Sequence, residues 1–176
     1  MIKMRWKRMV TAAVCLALCL VLPFLTGQIP QVGRMLAPMH LPVLLAGFLC
    51  GPWWALAVGV IAPPLRFALF SAPPFPGFAA MALELGTYGL ISGLLYRKLD
   101  GPGLKPILTS MIPAMLAGRV IWGIAMAALM GLQGGSFPFS AFVAGAFVDA
   151  LPGIVIQLIL VPAVVLALRK TGLFRD

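Results

Sequence analysis

Five ionisable side chains, His40, Arg66, Glu84, Arg119 and Asp149, lie within or at the ends of stretches that are otherwise apolar. The clearest case is 81–96, MALELGTYGLISGLLY, apolar enough to cross a bilayer yet carrying the Glu84 carboxylate. A charge at the centre of a membrane helix costs about 2.5–3.5 kcal/mol or more, so such groups face one another, a cavity or a ligand. Helical spacing extends each of them into a polar stripe. Glu84 and Tyr88 are four apart on one face, flanked by Met81 and Ser92. Arg119 shares a face with Met115 and Trp122, and Asp149 aligns with Gly145, Gly153 and Gln157.

Two acids, two arginines, an imidazole, a phenol and a carboxamide suit one task well: holding a small solute that both donates and accepts hydrogen bonds. In a low dielectric each such contact is stronger than in water. The competing account is internal neutralisation, with Glu84 paired to Arg119 or Asp149 to Arg66 as interhelical staples. A mixture, in which some pairs orient groups that touch the ligand, satisfies both. His40 taken alone is weak, because a lone histidine opening a helix is commonly an interfacial residue.

Catalysis is poorly supported. There is no G-x-x-x-x-G-K-[ST] phosphate loop and no H-E-x-x-H. The few serines (Ser71, Ser92, Ser110, Ser136, Ser140) have only His40, at the outer edge, as a partner base. The chain is therefore read as a non-enzyme without a cofactor. Cys15, Cys19 and Cys50 all fall in apolar runs, which suits buried thiols better than a disulfide framework or a metal site.

The elements that must position these groups are membrane spans. Hydrophobic residues make up 62% of the 176 and charged residues 10%, against about a quarter charged in a soluble domain. A span needs roughly 20 apolar residues, and approximate spans fall at 8–26, 38–50, 53–71, 77–96, 107–130 and 139–168. The expected fold is a single all-α membrane domain of six helices over 1–176. Gly51-Pro52 separates the short second span from the third; the alternative is one long helix over 38–71. Charge decides between them. Six spans place Lys3, Arg5, Lys7, Arg8, Arg97, Lys98, Lys105, Arg169, Lys170 and Arg175 on one side, leaving Arg34, Arg66 and Arg119. By the positive-inside rule both termini are cytoplasmic, and the formal charge of +9 reflects topology rather than nucleic acid.

In this frame His40 opens span two at the outer surface and Arg66 lies near the outer end of span three. Glu84 is about seven residues, roughly 10 Å, below the outer start of span four. Arg119 is near mid-membrane and Asp149 about ten residues into span six. The outer connections 27–39, 72–77 and 131–138 are rich in Gly and Pro and nearly uncharged. Irregular backbone is tolerated at membrane depth where it lines a cavity, so these segments suit a lid, though short ordinary loops would have the same composition. The basic head and apolar middle of residues 1–27 resemble a secretory signal, but no A-x-A-like site follows and Leu18 is too bulky before Cys19 for lipoprotein processing. That segment is read as a retained first span. Its Ala13 and Ala17, four apart, match a small-xxx-small spacing that lets helices approach closely. Trp53 and Trp54 fit an interfacial aromatic belt, and the methionines fit core filling.

At LAPMHLPVLLAGFLCGP, ELGTYGLISGLLY and LPGIVIQLILVPAVV the chain resembles the substrate-binding S components of energy-coupling factor (ECF) transporters, over roughly residues 9–168. The resemblance implies a six-helix bundle that captures a vitamin or related micronutrient beneath its three outer loops. It also implies that Ala13 and Ala17 dock on a transmembrane coupling protein, the T component, energised by two cytoplasmic ATPase subunits, and that the bundle tilts in the membrane lipid. The mixed charges point to a pyridoxine-like or queuosine-precursor-like ligand more than to a simple anion such as pantothenate. Two other functions remain open: a membrane scaffold stapled by ion pairs, and a solitary proton-coupled solute carrier. The lack of an obvious internal repeat counts against the latter.

Overall fold

The structure, a computed structural model, describes residues 2–26, 35–99, 101 and 103–171. Helix α1 runs Ile2–Val21 and tightens into a 3-10 turn, Leu22–Thr26; α2 is His40–Leu49, α3 Pro52–Phe70, α4 Gly77–Leu99 and α5 Leu104–Leu132. The last span begins with α6, Phe139–Val143, passes through a π-helical turn, Ala144–Val148, and continues as α7, Leu151–Lys170. No strand occurs among the described residues. Among the described residues, five stretches are long and apolar enough to cross a membrane, and His40–Leu49 is a shorter apolar helix. The fold is the expected all-helical bundle of six.

Helix α2 shows how the sequence breaks a span. Ten residues at 1.5 Å each reach about 15 Å, half the hydrocarbon thickness. Its end is fixed by Gly51, whose φ of 95° lies in the left-handed region that favours glycine. A Cβ there would also run into the Arg97 guanidinium. Pro52 then starts α3, where a missing N–H costs nothing. The two helices are thus separate arms rather than one rod over 38–71.

Helix α4 is central, with α3, α5 and α2 against it. Val43, Leu44 and Ala46 of α2, Leu85 and Tyr88 of α4, and Ile107 and Met111 of α5 are buried in one cluster. On α1, Ala12, Cys15 and Cys19 turn inward, and the three cysteines are free and buried. The opposite surfaces expose Val10, Val14, Ile124, Leu151 and Ile159. In lipid this inversion is stable, because burying an aliphatic side chain gains little when the solvent is itself apolar.

The two ends of the bundle differ in chemistry. At one, the Arg169 Nη1 donates to the Gly101 carbonyl at 3.1 Å, and its guanidinium stands 5.0 Å over the Tyr96 ring. Arg97 lies against Gly51 at the same end. At the other, Phe24 meets Phe70 edge-on at 5.0 Å, and Phe67 stacks on Phe78 at 4.5 Å. Of the loop segments expected there, 27–34 lies outside the described residues, as do Arg34 and Arg175.

Candidate functional site

The central feature is a carboxylate between two bases. Glu84 Oε1 lies 3.1 Å from Arg119 Nη1 and 3.3 Å from His40 Nε2. All three side chains are almost fully buried. Each comes from a different helix: α4 supplies Glu84, α5 Arg119 and the first turn of α2 His40. Neither approach to Oε1 is aligned as a hydrogen bond. His40 is therefore not at the outer surface. Because α2 is short and ends at the basic face, its first residue sits deep in the bundle.

Tyr88, one turn beyond Glu84, is fully buried and meets the His40 ring edge-on at 5.1 Å. Its hydroxyl lies within electrostatic reach of both Glu84 and Arg119. Gly118, beside Arg119, makes this possible. A Cβ at that position would run into the Tyr88 ring and come within 3.1 Å of the Glu84 carbonyl oxygen. The sequence reading passed over Gly118, whose only signal is its place next to an intramembrane arginine.

Several polar atoms of the cluster are sealed from solvent and have no hydrogen-bond partner. They are His40 Nδ1 and Nε2, Glu84 Oε1, the Tyr88 hydroxyl, and Arg119 Nε and Nη2; both amide atoms of Gln157, on α7, are likewise buried and unpartnered. Buried polar groups are normally satisfied, since each orphan costs about 1–3 kcal/mol. An unused guanidinium edge and a phenol beside a carboxylate are more than one interhelical ion pair requires. No group of His, Cys, Asp and Glu among the described residues is suited to a metal ion.

Arg66 is placed elsewhere. Its Nη1 donates to the Leu20 carbonyl at 2.9 Å, and its guanidinium lies 5.5 Å from the Phe24 ring centre and 5.4 Å from that of Phe70. These contacts fasten the end of α1 to α3. No pair with Asp149 forms. Asp149 is exposed and has no side-chain partner among the described residues. The π turn explains part of the misplacement: the Asp149 N–H donates to the Ala144 carbonyl, five residues back, at 2.8 Å. One extra residue in the turn rotates everything after it, so the expected alignment of Gly145 with Asp149 fails. Gln157, further along α7, is fully buried as its stripe requires.

Trp122 is half-buried, three residues beyond Arg119, and belongs to an aromatic group. Its ring is 5.8 Å from Phe137 and 6.4 Å from Phe142, and it packs against Gly145. Segment 131–138 is thereby anchored on α5 through Phe137. The described part of the first connection is tucked in as well. Cys19 Sγ donates to the Met39 carbonyl at 3.5 Å, and the backbone of Met35 and Leu36 lies against Gly153 of α7. Phe75 in the 72–77 segment meets Phe78 at 6.0 Å.

Apolar helices enclosing a sealed set of charged and hydrogen-bonding side chains define a multi-pass membrane protein. Comparison with known families is specific: residues 7–165 match the family described as ECF transporter, substrate-specific component. The chain belongs to that family. It is a transporter subunit rather than an enzyme, one that binds a small substrate and works with a T component and ATPases. Searches of curated proteins and of solved structures gave no match.

Proposed function

We propose that this S component captures a small polar, vitamin-like micronutrient at the Glu84 cluster. The observation that supports this most is the unused hydrogen-bonding capacity around one buried carboxylate. Arg119 offers its Nε–Nη2 edge to an acceptor group, His40 and Tyr88 flank the carboxylate, and Gln157 presents a buried amide from α7. Trp122 and Phe137 cover the approach from the 131–138 side. Arg66 acts at one remove, by holding α1 to α3, and Asp149 stands apart from the cluster. Such a mixed set favours a ligand with both donors and acceptors over a simple anion.

The basic end of the bundle is cytoplasmic on the positive-inside argument, which puts both termini inside and the cluster toward the outer leaflet. Ala13 and Ala17 are exposed on α1 rather than consumed within the chain. They form the seat for the transmembrane coupling protein, whose two ATPase subunits supply the energy. The test is a thermal-shift and binding screen of the purified chain against vitamins and their precursors. One ligand is expected at submicromolar affinity, weakened at least tenfold by Glu84→Gln or Arg119→Ala. A flat panel, with uptake indifferent to both variants, overturns the proposal.

The 3.1 Å approach of Glu84 to Arg119 also supports a second reading, in which the pair is purely structural. It differs in outcome: Glu84→Gln then lowers stability and yield whether or not ligand is present, and exchanging the two charges restores both.

A further inference from the structure

At the basic end, residues of α1 and α3 border an open hollow of about 350 Å³ lined by Arg5, Trp6, Met9 and Trp54. Arg5 and Met9 are one turn apart on α1, and Trp54 is in the first turn of α3. No described carboxylate pairs with Arg5. Trp6 is 60% exposed and Trp54 38%, so the indoles face outward where a bilayer would meet water. Around the hollow the basic end carries Lys7, Arg8, Arg97, Lys98, Lys105, Arg169 and Lys170.

We infer that this hollow holds the headgroup of an anionic phospholipid of the cytoplasmic leaflet. The guanidinium supplies a charge-assisted donor to the phosphodiester, and the indoles supply amphipathic walls of the kind that settle at headgroup level. Met9, one turn deeper, continues the hollow toward the acyl chains. Basic pockets between membrane helices on the cytoplasmic side are suited to such headgroups. A carboxylate side chain from a protein partner would satisfy Arg5 but leave most of this volume unfilled. The inference rests on the orientation argued above and not on the identity of the transported substrate.

The experiment uses the whole delipidated chain and short-chain phosphatidylglycerol, with short-chain phosphatidylcholine and free glycerol phosphate as comparison probes. Binding is read by indole fluorescence and by native mass spectrometry. Phosphatidylglycerol is expected to bind at least fivefold more tightly than phosphatidylcholine. Arg5→Gln should remove that preference, and Trp54→Ala should weaken binding of both lipids. Lys105→Gln, the same charge change on an exposed residue outside the hollow, should leave binding within twofold. Equal binding of the two lipids overturns the inference, and so does an equal loss in Lys105→Gln, which would mean a diffuse field. Glycerol phosphate binding as tightly as the lipid would reassign the hollow to free phosphate esters.

Discussion

Glu84 Oε1 and Arg119 Nη1 lie 3.1 Å apart on adjacent helices, both buried, in contact but not aligned as a hydrogen bond. A pair optimised only for stability would engage the guanidinium in a forked, hydrogen-bonded arrangement. Here the Nε and Nη2 donors remain free. Those donors are what the proposed ligand would engage.

Removing one partner of this pair strands the other charge, a loss of about 3 kcal/mol or more. Glu84→Gln and Arg119→Met should each lower the melting temperature in detergent. The double variant Glu84→Leu with Arg119→Met, which removes both charges, should regain most of that stability and still fail to bind or import substrate. Melting curves combined with an uptake assay check this; a stable double variant that imports normally would make the pair dispensable for recognition.

Gly118 leaves room for the Tyr88 ring. Gly118→Ala forces the ring or α5 to shift, and overpacking of this kind costs about 1–3 kcal/mol. Ligand affinity should fall along with stability, because Tyr88 flanks Glu84. Tyr88→Phe, which removes the hydroxyl and keeps the ring, should lower affinity while leaving the melting temperature nearly unchanged.

Arg66 is bound to a backbone carbonyl and to two rings outside the Glu84 cluster. Arg66→Met should destabilise the α1–α3 junction by about 1–2 kcal/mol, the upper range for interhelical polar contacts in membranes. Asp149→Asn, at an exposed position, should have little effect on stability. Calorimetric titration should find ligand affinity within about twofold of the parent in both variants.

Ala13 and Ala17 face outward on α1, whereas Ala12, Cys15 and Cys19 fill the interior. Ala13→Leu with Ala17→Leu should therefore leave folding and ligand binding intact. Co-purification of the coupling protein and its ATPases should fall at least tenfold. Replacing Ala12 by Leu instead should damage the fold itself.

Much of this protein is legible along the chain. Apolar run lengths gave the helices, Gly51-Pro52 gave the break between α2 and α3, and the spacing of Glu84 and Tyr88 gave one face of the cluster. All of these depend on local rules: hydrophobic length, a left-handed glycine, the helical repeat. Which charged groups meet was not legible. Periodicity fixes direction around one axis only and carries no information on how two axes sit against each other. His40 reads as superficial because it opens its span on the outer side, but α2 covers only about half the bilayer, so its first residue reaches Glu84. Asp149 was lost from its stripe when a π turn inserted a residue that no sequence period announces. The sequence determined that charge is buried in a membrane bundle; the packing of α2, α4 and α5 decided that Glu84, Arg119 and His40 share one place.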